Sequence, residues 1–169
     1  MVIEVATHPG ISRVWELLGA IPDPEIPVIS IVDLGIVRDV RGGDAGMEVV
    51  LTPTYSGCPA KHAIEEDIRR ALRENGIDTL TIRTTLSPAW TTDWISESGR
   101  EKLRAHGIAP PHSAKAMDAH RINLFSRSIA CPLCGSEATE RLSEFGSTAC
   151  KALYRCLDCR EPFDYFKPL

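Results

Sequence analysis

No apolar run in this sequence approaches the roughly 20 residues that a membrane-crossing helix needs, so a helical span is excluded. The start, Met1-Val-Ile-Glu-Val, lacks the basic n-region and apolar h-region of a secretory signal, and a cytoplasmic chain with no membrane partner is expected. Positive charge is also short. The net charge of -4 argues against the basic face that a nucleic-acid binder presents. There is no HExxH, GxSxG, P-loop or GxGxxG signature, and His8, His62, His106, His112 and His120 form no paired-ligand pattern. No complete catalytic constellation is legible, and none is expected. Repeats and low-complexity tracts are missing as well.

Cysteine is sparse until the end. Five of the six fall in the last 39 residues, and four of those form two pairs, Cys131-Pro-Leu-Cys134 and Cys156-Leu-Asp-Cys159, with 21 residues between them. Two thiolates at C-x-x-C spacing bind one cation from a single tight knuckle, and two knuckles close a tetrahedron with no open position. Structural zinc is the expected occupant; iron in a rubredoxin-like site uses the same ligands. A module of about 40 residues needs such a staple to fold, and reduced, metal-held cysteines suit a cytosolic chain better than disulfides do. Cys150 is a fifth local thiol. It reads first as a small buried hydrophobe, and otherwise as an alternate ligand or a contact at a partner surface.

Ahead of the pairs, 43% hydrophobic content supports a sizeable core. Ser12 is a candidate cap for a first helix with Val14, Trp15, Leu17 and Leu18 on its apolar stripe, ended by Gly19 and the Pro22–Pro27 stretch. Residues 28–40 are rich in Val and Ile and read as a strand. Gly42-Gly43-Asp44 reads as a turn into an antiparallel partner from Met47 to Thr52. Pro59 suits the start of a second helix whose buried face is Ala60, Ile64, Ile68, Ala71 and Leu72, stopped at Asn75-Gly76. Residues 79–86 form a third strand, and Thr91 or Thr92 would cap a helix running to Gly107, weakened by Ser98-Gly99. A polar, weakly patterned stretch then reads as a linker.

Cys58 lies between Gly57 and Pro59, at or beside the second helix's N-cap. Unpaired amides and the positive dipole end there favour thiolate, so a depressed pKa is expected, with His62 one turn on as a possible helper. A buried, inert cysteine is the plainer alternative. Asp23 and Glu25 bracket Pro24 in a loop and are candidate neighbours of Cys58, although a solvated loop is the default for them and for Asp33. One thiol offers one ligand, so holding iron or a cluster requires a second subunit or another partner.

Asp23-Pro-Glu-Ile-Pro27, Ser30-Ile-Val-Asp-Leu-Gly-Ile-Val37 and Leu51-Thr-Pro-Thr-Tyr-Ser-Gly-Cys-Pro59 resemble, in order and spacing, the metal–sulfur cluster assembly family that includes SufT. Trp90-Thr-Thr-Asp-Trp-Ile-Ser96, Phe145-Gly-Ser-Thr-Ala-Cys-Lys-Ala152, the two cysteine pairs and Glu161-Pro-Phe-Asp-Tyr-Phe-Lys167 are similar to the PaaD family of the bacterial phenylacetate pathway. The resemblance implies an α+β domain at 11–112, with a three-stranded or slightly larger mixed sheet and packed helices. A linker at 113–128 and a β-rich zinc ribbon at 129–169 would follow. It implies that Cys58, with Asp23 or Glu25, handles iron or an iron–sulfur cluster transiently. The implied partners are the oxygenase or reductase of phenylacetyl-CoA epoxidase, with a second copy of the chain as a further candidate.

Four functions are weighed against this. An accessory maturation factor fits one activated thiol without an active site. A stoichiometric structural subunit would make Cys58 dispensable. A thiol redox enzyme is disfavoured by the lack of a nearby resolving cysteine. A nucleic-acid-binding ribbon is disfavoured because Glu137, Glu140, Glu144, Asp158, Glu161 and Asp164 offset its lysines and arginines.

Overall fold

The computed structural model describes residues 9–43, 46–112 and 128–168. The chain divides into two compact units, 1–90 and 91–169. Among the described residues, no helix is long and apolar enough to cross a membrane.

The first unit is α+β. Helix α1 spans Pro9–Gly19, β1 Val37–Gly43, β2 Gly46–Leu51, α2 Ala60–Glu74 and β3 Leu80–Thr84. The sheet order is β1-β2-β3, with the first pair antiparallel and the second parallel, so the sheet is mixed as expected. Val14 and Leu18 of α1, Val49 of β2, and Ile64, Ile68 and Leu72 of α2 form its core, each at most 2% exposed. Helix α1 begins at Pro9 rather than after Ser12. Proline suits a first turn, where its missing amide is one of those left unpaired anyway. Of the hairpin turn, Asp44 lies outside the described residues, while Gly42 and Gly43 belong to β1.

The largest departure from the sequence reading is at 28–36, expected as strand and found as successive turns. Ile29, Ile31, Leu34 and Ile36 are buried, and in place of a strand the segment makes a single antiparallel bridge, Ser30 with Pro22, in which the Asp23 amide donates to Ile29 O at 2.9 Å and the Ile31 amide to Ile21 O at 3.0 Å. The Ser30 hydroxyl accepts from the Asp33 amide at 3.0 Å and donates to its carboxylate at 3.1 Å. The Leu34 amide donates to Ser30 O at 2.9 Å, and Gly35 takes φ 75°. Such side-chain bonds offer the backbone a local alternative to the sheet. From the far end of the unit, the buried Trp90 indole donates to Leu34 O at 3.1 Å and fixes the turn.

The second unit opens with a 3-10 turn, Thr92–Trp94, followed by α3 (Glu97–Ala105). The single helix expected from Thr91 or Thr92 is therefore two pieces. Ile95 and Ser96 are extended, and the Ser96 hydroxyl caps α3 by accepting from the Gly99 amide at 2.9 Å. Strands β4 (Ile108–Ala109), β5 (Thr139–Ser143), β6 (Lys151–Cys156) and β7 (Pro162–Phe166) form a four-stranded sheet in the order β4-β7-β6-β5. Residues 108–109, read from sequence as the end of the larger domain, thus pair with β7 of the ribbon. Arg100 ties this segment together, donating to Thr92 O at 2.7 Å and Pro111 O at 2.6 Å. Most of the expected linker, 113–127, lies outside the described residues.

One buried cluster of this sheet is Ala109, Ile129, Cys131, Cys156, Phe163 and Tyr165, with Tyr154 and Cys159 against it; Cys150, Ala152 and Phe166 are buried as well. Lys151 is 4% exposed and meets Asp164 at 3.1 Å; the Ser147 hydroxyl donates to the same carboxylate at 3.2 Å. Cys150 is buried beside the Thr148 hydroxyl, at 3.0 Å, which agrees with its reading as a small core residue.

Candidate functional site

In the second unit the four paired cysteines converge. Their sulfurs all lie within 4.8 Å of one another. Across the knuckles, Cys131 Sγ is 3.8 Å from Cys159 Sγ, and Cys134 Sγ is 3.6 Å from Cys156 Sγ. A tetrahedron of sulfurs at about 2.3 Å from zinc has edges of about 3.8 Å, so the donor set and spacing fit a metal ion.

The two knuckles repeat the same backbone. The Cys131 amide donates to Ser136 O at 2.8 Å, and the Cys156 amide to Glu161 O at 3.0 Å. The residue after each pair is left-handed: Gly135 at φ 78° and Arg160 at φ 67°. Glycine takes that conformation freely. Arginine does so at a cost of about 1–2 kcal/mol, which the knuckle imposes. The turn then aims the following amides at sulfur. The Cys159 amide leads in bringing the Cys156 thiol down to about 7, against burial and helped by the Asp158 amide and the Cys134 and Cys159 thiols. The Glu161 amide acts in the same sense on Cys159, but burial and the other three thiols outweigh it and push that thiol up to about 12. The Ser136 amide donates to Cys134, whose thiol the neighbouring Cys156 and burial nonetheless carry upward. Cys156 is thus the readiest of these three to ionise while Cys134 and Cys159 resist, and a dication bound here would displace the thiol protons collectively.

In the first unit, Cys58 sits one residue before the α2 N-cap, Pro59, which contributes no side-chain cap. The Lys61 amide donates to Cys58 O at 3.3 Å, and the Ala60 amide donates to the thiol itself. The setting at the helix start is as the sequence suggested, but the expected depressed pKa is reversed. Burial raises the thiol most. The Ala60 amide opposes it, the Glu25 and Asp23 carboxylates raise it further, and Thr54 lowers it slightly. The charges of the two acids that bracket Pro24 thus act on Cys58, but among the described residues only the four paired cysteines converge as a metal-ligand group; Cys58, Asp23 and Glu25 do not. Asp23 is 4% exposed, and its Oδ1 accepts from the amides of Glu25 at 2.9 Å and Ile26 at 2.8 Å. It builds the loop that carries Glu25. His62 does not join them; its side chain is 83% exposed and lies 3.5 Å from Glu66. Thr54 is a neighbour that sequence reasoning does not single out. Its signal is the hydroxyl-rich Thr52-Pro-Thr-Tyr-Ser-Gly run ahead of Cys58.

The sign of the thiol shift has a measurable consequence. A thiol pKa above the ordinary value of about 8.5 leaves Cys58 protonated at neutral pH. The folded state then gains stability that is present below the unfolded pKa and lost as pH rises through the folded one. Iodoacetamide labelling of Cys58 in the metal-loaded protein, followed by peptide mass mapping, is expected to rise with pH along a curve displaced upward from that of the denatured chain. A curve displaced downward would contradict the geometry.

Residues 11–78 match the family described as "Iron-sulfur cluster assembly protein", and residues 117–167 match the "PaaD zinc beta ribbon domain". A solved domain of unknown function, DUF59 from Bacillus anthracis, superposes with a TM-score of 0.52 at 26% identity, over 55% of this chain and 90% of its own. The chain is 36% identical to an "Fe-S protein maturation auxiliary factor" of Porphyromonas gingivalis, over 52% of this chain and 84% of that protein. It is 50% identical to the "Putative 1,2-phenylacetyl-CoA epoxidase" subunit of Escherichia coli (strain K12), over 94% of this chain and 93% of that protein. With a likeness of that extent, covering both units, the chain belongs to the PaaD family of 1,2-phenylacetyl-CoA epoxidase subunits.

Proposed function

We propose that this chain is an accessory maturation component of a multicomponent phenylacetyl-CoA epoxidase in the cytoplasm, assisting iron or iron–sulfur cluster assembly in the oxygenase or reductase. The observation that carries this reading is the half-buried thiol of Cys58 at the start of α2, within reach of the charges of Glu25 and Asp23. Burial does most to hold the thiol protonated, and the two carboxylates that add to it also make the surroundings attractive to a cation. An arriving iron ion is cargo here: it would displace the thiol proton and find a soft sulfur beside hard oxygen donors. A site with one thiol holds such cargo loosely, which suits transfer rather than storage. Relatives named as Fe–S maturation factors match about half of this chain, and the iron–sulfur assembly family match at 11–78 includes Cys58.

The four-cysteine centre takes zinc in this reading. Four thiolates leave no position open for chemistry, so the metal holds the ribbon together and the ribbon engages the client. The alternative, a stoichiometric structural subunit without metal transfer, draws on the E. coli relative's designation as a subunit. Purifying the oxygenase and reductase from cells with and without this protein separates the two. Client iron and acid-labile sulfide should fall in its absence. Metal-replete but inactive client would overturn maturation in favour of the structural role.

A further inference from the structure

Two residues outside the ligand set link the knuckles. The register of β5 on β6 places Thr139 opposite Cys156, so the chain just before β5 runs beside the chain just after β6. There the Ser136 hydroxyl donates to the Asp158 carboxylate, and the Ala138 amide donates back to Ser136 Oγ at 3.0 Å. The Leu157 amide donates to Ala138 O at 2.8 Å. Three bonds thus join segment 136–138 to itself and to 157–158. Each partner of the hydroxyl–carboxylate bond also has its own amide on a ligand sulfur: Ser136 on Cys134, and Asp158 on Cys156. Those two sulfurs belong to different knuckles and are 3.6 Å apart.

We propose that Ser136 and Asp158 are positioning residues of the metal centre, forming a strap that holds both knuckles closed from outside. This rests on reading the four cysteines as a metal site. Both side chains are at the surface, where an ordinary hydrogen bond contributes little to stability. The strap matters through what it fixes. It holds two N–H···S bonds in place, and it occupies the Asp158 carboxylate, which sits between two ligand cysteines. Four thiolates around a dication carry a net charge of 2−, so a carboxylate free to turn toward them would weaken the site. Groups that orient ligands from outside typically change metal affinity about 10–100-fold when lost. Solvent exposure puts this pair at the lower end.

The test is zinc release from the full-length protein into excess 4-(2-pyridylazo)resorcinol, followed by absorbance. Ser136→Ala and Asp158→Ala should each speed release about tenfold. The double variant should be no faster than Ser136→Ala, because the hydroxyl–carboxylate bond is lost in all three and the Ala138 amide loses its acceptor in both variants without the hydroxyl. Asp158→Asn keeps an accepting oxygen and should stay within about twofold of the parent. Cobalt-loaded variants should retain the tetrahedral-thiolate spectrum, which shows that all four ligands still bind. If an alanine variant fails to load metal, Ser136→Thr and Asp158→Asn decide: parental release supports the strap, and rapid release overturns it. Parental rates in the alanine variants, multiplying effects in the double variant, or an asparagine variant as fast as alanine would each overturn it. A parent chain that binds no metal would instead remove the reading beneath it.

Discussion

Replacing Cys156 with serine is expected to strip the metal from the full-length protein and to melt the four-stranded sheet with it. Cys156 is fully buried, and Cys131 and Cys156 belong to a six-residue buried cluster of the ribbon. Without the thiols, the apolar residues left in that cluster, Ala109, Ile129, Phe163 and Tyr165, offset little of the cost of ordering the two knuckles. Structural zinc contributes an apparent 10–16 kcal/mol or so to such modules. A whole domain is stable by only about 5–15 kcal/mol. Losing a ligand therefore removes more than the unit can spare. Elemental analysis should fall from about one metal per chain to near zero. The near-ultraviolet circular dichroism of the packed rings should vanish with it, since Tyr154 lies 5.9 Å from Phe163 and 5.6 Å from Tyr165. Chelation of the parent should reproduce the same change. The first unit, with its own core of Val14, Leu18, Ile64 and Leu72, should still unfold cooperatively. A metal-free variant that keeps its tyrosine signal would contradict the argument.

How much of this is legible in the sequence depends on how local the signal is. The C-x-x-C spacing and the left-handed Gly135 define a knuckle within five residues, so the convergence of the four cysteines can be read directly. Helix α2 announces itself through Ile64, Ile68 and Leu72 at helical spacing and the Asn75-Gly76 stop. The stretch 28–36 misleads because its apolar residues are buried by a partner that the sequence does not reveal. Trp90 holds Leu34 O from 56 residues away. The break before α3 hides in the choice between Thr91, Thr92 and Ser96 as caps, all three of which suit the position. Two of them serve: Thr91 caps the 3-10 turn, its hydroxyl accepting from the Asp93 amide at 3.4 Å, and Ser96 caps α3.

Around Cys58 the sequence locates the thiol but not its charge. The dipole argument considers only the helix start. The opposing contributions come from burial and from the loop 35 residues earlier in the chain, where Asp23 and Glu25 lie. The strap partners Ser136 and Asp158 are equally hidden, since only the β5–β6 register brings them together.

The second large effect is functional rather than structural. Cys58→Ser should leave the fold and the bound metal intact, yet reduce support of phenylacetyl-CoA epoxidation to that of cells lacking the protein. Serine is nearly isosteric, and its hydroxyl can accept from the Ala60 amide as the thiol does, so stability should change by less than about 1 kcal/mol. What disappears is the one soft donor of the site, leaving carboxylates and a hydroxyl that hold iron poorly in a half-exposed setting. Growth on phenylacetate and client iron content should therefore fall together. The neighbouring acids should fail differently. Glu25→Gln removes a charge that acts on the thiol and should lower iron delivery while shifting the labelling curve of Cys58 downward in pH. Asp23→Ala should destabilise the protein, because two amides lose their acceptor in a buried turn; Asp23→Asn keeps that acceptor and should restore the fold. If Cys58→Ser restores growth and client iron as well as the parent does, Cys58 handles no cargo, and the structural-subunit reading takes the place of maturation.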